Sequence, residues 1–477
     1  MKKMRKIFAV LLTLAMVLGM SMTTFAANAT ITLHKFDTAK KVEYKQIIQK
    51  DESTTSGWAF MNGADACFKE VFSNATDQEI IWGLIKYKDS TVNLPTGVTA
   101  TTVTAAKIDL ALSKVALTAG FTPTTDKTKI EVTEAGIYAI KAEEEGFTYK
   151  TATAYVGFGT PYPALTGTEV TAKKSSTDVD KTVTDEDHVV AIGDIVTYTI
   201  KAHVPFIDAT NTENRTFRIK DEITGADYYL EGEDAVSSVT MEGTDPSNKQ
   251  VGTIEETNNE GKKGFVVNLD SLVTDTDNPN AGKEITVTYT AKVNALTVEN
   301  KAGSHVADVE YGGKNVPVKL FTGEITLVKY GNGVETNVLR NAEFEVYKTG
   351  ETTPLKFKLQ ENGNYRYAPD AEDATTTVVT NGEGKVVVEG LDVGTYHFKE
   401  TKAPEGYSIN TDGKDITLTQ TGVATATVKA DGKLNDTQLH ALPSTGGIGT
   451  TIFTIAGCAI MVAAAGLFFA SRKRTSK

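Results

Sequence analysis

Lysine, carboxylate and asparagine recur in this chain at strand positions where apolar residues are expected. In "ITLVK", Ile325, Leu327 and Lys329 share one parity, and in "YHFKE", Tyr396, Phe398 and Glu400 share one. Alternate residues of a strand face the same way. The core side of these segments therefore receives a lysine and a glutamate, while His397 and Lys399 face water. "VDKTV" (Val179, Lys181, Val183), "FRIKD" (Phe217, Ile219, Asp221) and "LTVEN" (Leu296, Val298, Asn300) repeat the pattern. Burial strips a lysine of its proton, leaving a nucleophilic amine, and lets a carboxylic acid keep its own. A neutral amine beside an amide carbonyl, with a protonated acid bonded to that carbonyl, is set up for attack and loss of ammonia. The product would be a Lys–Asn isopeptide bond, a reaction that strand spacing alone does not single out. The same residues also read as strand-end charges that snorkel to solvent.

A second group stands near the chain end. Leu442, Pro443, Ser444, Thr445 and Gly446 precede an apolar run from Ile448 to Ala470 that carries no charge. As a helix this run is about 34 Å long at ~1.5 Å per residue, enough to cross a bilayer core of ~30 Å. The basic tail "SRKRTSK" stays in the cytoplasm by the positive-inside rule, and everything before the span lies outside. The other end has a basic start, the apolar "IFAVLLTLAMVLGM" and small residues near Ala26–Ala29, the parts of a secretory signal over 1–27.

The elements that must position these residues are strands. The exported part alternates in "TITLHKF", "IVTYTIKAHV", "EITVTYTAKV", "GEITLVKY" and "GTYHFKE", punctuated by Gly- and Asn-rich turns. Roughly 415 exported residues suggest about three domains. Breaks at "GFGTPYPALTG" (157–167) and "YGGKNVPVKLFTGE" (311–324) place them at 28–168, 169–321 and 322–440, followed by the 441–477 tail. An all-β class of tandem immunoglobulin-like sandwiches follows. "TDQEIIWGLIKYK", with Thr76 as N-cap, and "TAAKIDLALSKVAL" predict short helices in the first domain.

Several functions are disfavoured. A net charge of −12 opposes nucleic-acid binding. The six histidines form no HExxH-like spacing, and no phosphate loop or zinc pattern appears, so neither metal nor cofactor is expected. Cys458 lies in the apolar run, leaving Cys67 alone outside it, which excludes an intrachain disulfide there. A hydrolytic enzyme has little support.

"KETKAPEGY" (399–407) resembles the E-box of collagen-adhesin B-type domains, and "GEITLVKY…LRNAEFEVYK" resembles their opening strands. The pentapeptide, span and basic tail resemble a sortase cell-wall sorting signal. The whole chain resembles the backbone pilins of sortase-assembled Gram-positive pili. The resemblance implies isopeptide triads Lys181–Asp221–Asn300 and Lys329–Glu400–Asn435, with Asp221 and Glu400 promoting the bonds. Asn435 rests on its place before the sorting signal. Lys35 and Glu134 match in the first domain, whose last strand offers no asparagine.

The resemblance also implies cleavage after Thr445 by a sortase cysteine; Pro443 biases Leu442 toward the extended form such a peptide takes. Wall attachment to peptidoglycan, pilus-specific and housekeeping sortases, further copies of the chain and accessory pilins are the implied partners, with the membrane involved only before sorting. An acceptor lysine stands in a YPK-like motif in such pilins; "TAKK" offers Lys173, with Lys174 beside it, but has Thr171 and Ala172 in place of Tyr and Pro. A monomeric anchored adhesin binding a surface ligand is the alternative.

Overall fold

The computed structural model describes residues 28–158, 164–228, 236–245, 247–248, 250–259, 262–275, 278–314, 317–439 and 449–474. The signal segment and the pentapeptide at 442–446 lie outside the described residues. Two compact units divide the chain: the first runs to Gly323 and includes Gly390–Asp392 and Gln420–Val428, and the second comprises Glu324–Glu389, Val393–Thr419 and the chain from Lys429 on.

In the first unit, residues 29–172 build a core from two small sheets. Strand β1 (Ala29–His34) pairs antiparallel with β3 (Lys129–Val132) and parallel with β6 (Thr168–Thr171). Strand β2 (Lys41–Lys50) pairs with β4 (Gly136–Glu143), which pairs with β5 (Ala152–Phe158). The boundary expected at 168/169 therefore falls inside this first sheet, because β6 returns to β1 and buries Val170 and Ala172 there. Gly167 permits the return: a Cβ would lie 2.7 Å from the Thr30 carbonyl oxygen.

Three helices cover the β2–β4 side: α1 (Ala64–Val71), α2 (Asp77–Lys88) and α3 (Ala105–Ala116). The two anticipated helices form. Thr76 caps α2 in a capping box, accepting from Glu79 N while Glu79 accepts from Thr76 N at 2.8 Å. Helix α1 was not anticipated. It is only eight residues long and starts at a left-handed Gly63 with no side-chain cap.

Residues 179–320 form a sandwich. One face carries β7 (Val179–Val183), β8 (Ile195–His203) and β11 (Glu284–Val293); the other carries β9 (Phe217–Thr224), β10 (Lys262–Asn268) and β12 (Thr297–Val306). Tyr198, Ile200, Phe217, Ile219, Phe265, Val287 and Tyr289 fill the space between, each at most 1% exposed.

The second unit is another two-sheet domain. Strand β13 (Gly323–Gly331) pairs with β15 (Lys385–Leu391) and with β17 (Val428–Asp436). Strand β14 (Glu343–Lys348) pairs with β16 (Gly394–Lys402) in the second sheet. The chain closes with the apolar helix α4 (Gly449–Arg474), of which Thr451–Arg472 has mean hydropathy 2.3 and suits a membrane span.

Candidate cross-linking sites

In the middle sandwich the alternation of β7, β9 and β12 carries Lys181, Asp221 and Asn300 inward. Asp221 pairs across the sheet with Ala302 and Ile223 with Asn300, so Asp221 and Asn300 are diagonal neighbours on one face. Lys181 reaches them from the opposite sheet. All three side chains are buried. The Lys181 amine contacts Asp221 Oδ2 and lies 2.5 Å from Asn300 Oδ1. Asp221 Oδ1 accepts from the hydroxyls of Tyr228 at 2.8 Å and Tyr289 at 3.0 Å, and Asn300 Nδ2 donates to the Tyr289 oxygen at 2.8 Å.

Burial pushes Lys181 down to about 8, outweighing the attraction of Asp221. It also pushes the Asp221 carboxyl up against the same lysine. Both shifts favour a neutral amine beside a neutral acid, the protonation state that acyl transfer requires.

In the second unit, Lys329 and Glu400 meet in the core, with the amine 3.1 Å from Glu400 Oε2. The third member differs from the expected one. Lys329 contacts Asp436 Oδ1, whereas Asn435 points to the other face of β17 and accepts from Gly333 N at 2.6 Å. Strand parity gives the reason: Gly432, Leu434 and Asp436 are buried, while Lys433 is exposed and Asn435 half-buried. The signal was present in "GKLND", one residue beyond the asparagine. Burial, against the pull of Lys329, lifts the Asp436 carboxyl to about 6, with Glu400 lifting it further. Glu400 Oε1 and Asp436 Oδ2 find no N–H or O–H donor among the described residues. The raised Asp436 carboxyl is the group that can carry a proton in this site.

The first core does not bring Lys35 and Glu134 together as an interior pair. Lys35 sits at φ 64°, just past the end of β1, and both side chains are exposed. A lysine that the alternation did not reveal is buried instead. Lys45 on β2 donates to Thr118 Oγ1 and to the Ala119 carbonyl, both at 2.8 Å. A register shift between Gln46 and Ile48 breaks the parity of that strand.

The two candidate acceptor lysines differ. Lys174 is held by Glu144 at 2.8 Å and Thr38 at 2.7 Å, over the Phe147 ring. Lys173 is half-buried, and its amine is pushed down by burial first and by Lys150 second, with Asp109 opposing. Lys150 itself contacts Asp109.

Residues 323–433 match the SpaA prealbumin-like fold domain and residues 435–477 the LPXTG cell wall anchor motif. The comparison with curated proteins returned no match. Among solved structures, the T6 backbone pilin of serotype M6 Streptococcus pyogenes is 17% identical at TM-score 0.48, covering 83% of this chain and 81% of its own. The full-length major pilin SpaD from Corynebacterium diphtheriae is 16% identical at TM-score 0.44, covering 87% and 98%. The C. diphtheriae major pilin SpaA is 14% identical at TM-score 0.42, covering 86% and 100%. By its sequence matches, the chain carries a prealbumin-like SpaA domain followed by an LPXTG anchor of the Gram-positive cell wall.

Proposed function

We propose that the chain is the repeating subunit of a covalently polymerised, wall-anchored pilus, with β-sandwiches cross-linked internally. The observation that carries this reading is the pair of buried lysine clusters in successive sandwiches, each amine against the acyl group of another strand. Lys181 attacks Asn300 with loss of ammonia, and Asp221 serves as the proton-handling acid. Lys329 attacks Asp436 with loss of water, and Glu400 takes the equivalent part. The ammonia expected from Asn435 is replaced by water because the side chain at Lys329 is a carboxyl.

Sortase cleavage at Thr445–Gly446 leaves an acyl-enzyme that an amine resolves. Lys173 suits that part because burial lowers the pKa of its amine and leaves more of it neutral. Exported precursor, expressed with a pilus-type sortase, should give a ladder of very large species on a denaturing gel of wall extracts. Lys173→Ala should abolish the ladder and leave anchored monomer ending at Thr445. A single band from the native sequence would instead favour a monomeric adhesin, and a ladder surviving Lys173→Ala/Lys174→Ala would move the acceptor elsewhere.

A further inference from the structure

The middle site contains a group that the attack of an amine on an amide does not by itself explain. Tyr289, on β11, touches both the acid and the departing nitrogen. Its hydroxyl lies 3.0 Å from Asp221 Oδ1 and 2.8 Å from Asn300 Nδ2. The orientation of the asparagine follows from its neighbours. The N–H groups of Lys181 call for the amide oxygen, which leaves Nδ2 facing the phenol. The ring is held by stacking on Tyr198, its direct cross-strand partner, at 5.4 Å. Phe265 packs edge-on to it at 5.0 Å.

We propose that Tyr289 is a catalytic residue of the middle cross-link, relaying a proton from Asp221 to the leaving amide nitrogen of Asn300. This rests on the isopeptide reading above. An amide nitrogen is a poor leaving group until protonated, and its lone pair is committed to resonance until the carbonyl carbon becomes tetrahedral. Attack by the Lys181 lone pair on Asn300 Cγ moves the carbonyl electrons to Oδ1 and frees the Nδ2 lone pair. Both contacts of Tyr289 then reverse: its oxygen accepts from the protonated Oδ1 of Asp221, and its own hydroxyl turns to Nδ2, which becomes the acceptor. Asp221 takes a proton from Nζ at Oδ2 and releases its own from Oδ1 to the phenol oxygen. Tyr289 passes its proton to Nδ2, the Cγ–Nδ2 bond breaks, and ammonia departs as the carbonyl reforms. Asp221 and Tyr289 each end with one proton, and the hydrogen lost by lysine leaves in the ammonia.

The second unit supports the assignment by contrast. There the leaving group is an acid hydroxyl, a better one than an amide nitrogen. The ring beside the amine is Phe344, which has no proton to give, at 5.6 Å from Lys329 Nζ. The raised Asp436 carboxyl can itself carry the proton needed.

The test follows bond formation in full-length precursor made by cell-free translation, quenched in acid and read by intact mass. The water lost at Lys329–Asp436 reports folding of the same molecules. Tyr289→Phe should slow ammonia loss by at least about 10²-fold, the usual scale of a positioned general acid. Tyr228→Phe removes a bond to Asp221 alone and should slow it less than about tenfold. In the Asn300→Asp background, where water leaves, Tyr289→Phe should also cost less than about tenfold. Equal slowing in both backgrounds, or none in either, would overturn the relay. If Tyr289→Phe does not fold, 3-fluorotyrosine placed at 289 keeps the shape and must still change the rate. A native chain that loses no ammonia would remove the cross-link reading itself, whereas native loss with an unaffected Tyr289→Phe removes only the relay.

Discussion

The first core and the middle sandwich each bury a lysine, and the company of the two amines differs. Lys45 gives its protons to a threonine hydroxyl and a backbone carbonyl. Lys181 meets a carboxyl and a side-chain amide reaching in from the opposite sheet. Burial lowers the proton affinity of both. Depressing an amine is therefore not what separates a structural lysine from a reactive one. The separation lies in whether an acyl carbon and a proton-holding acid stand on the facing strand. The first core instead closes its open side with three helices, and the middle one has the means to close itself with a bond.

Removing the reactive amine is the strongest way to break the comparison. Lys181→Met should restore the mass of one ammonia and destabilise the middle sandwich by about 4–5 kcal/mol, by analogy with the loop entropy of a disulfide closing over 100 residues. Calorimetry should show its transition falling while that of the second unit stays. Lys45→Met should leave the mass deficit untouched.

Nearly as large is the effect expected at the other proposed cross-link. Asp436→Ala should restore one water and lower the transition of the second unit, whereas Asn435→Ala should leave the mass deficit in place. Loss of the deficit in Asn435→Ala would reinstate the asparagine.

A smaller effect is expected from pH in a chain that cannot form the middle bond. In Asn300→Ala the folded amine has a pKa near 8 against an ordinary value of 10.5. The folded state then binds fewer protons than the unfolded one between these values, so its stability should rise as pH climbs from about 8 to about 10.5. Below about 8 the penalty is present in full and this contribution is flat. Urea melts across that range check the sign, and a fall would mean that Lys181 gains rather than loses proton affinity on folding.

The smallest change sharpens the first core. Lacking an acyl partner for its lysine, this core should be the first to melt. Thr76→Ala should lower that transition alone, by about 1 kcal/mol for a lost N-cap.

Much of this was legible because a strand has a period of two. Val179/Lys181, Ile219/Asp221, Val298/Asn300, Leu327/Lys329 and Phe398/Glu400 each put the polar residue on the parity of an apolar one, and all lie inside. Legibility failed where something local reset the period. A left-handed residue at Lys35 suggested a false buried lysine, and β2, which buries Val42 as well as Lys45 and Ile47, shows no single inward parity that would reveal the true one. Asp436 was missed for another reason. A family pattern calling for asparagine outweighed the alternation of Gly432 and Leu434, which pointed to its neighbour. Tyr289 could not be singled out, because its part depends on β11 facing β12 across the sandwich, a relation that spacing does not encode.

The placement of Lys181 and Asn300 also bears on how the molecule meets a pull. They are 119 positions apart, on the first strand of the sandwich and on one of its later strands, in opposite sheets. With the bond in place, tension entering along β7 crosses to β12 through a covalent link instead of unravelling the strands between. The ladders of β8, β9, β10 and β11 then lie off the line of force. Under load the domain would lengthen by little more than the play of two side chains.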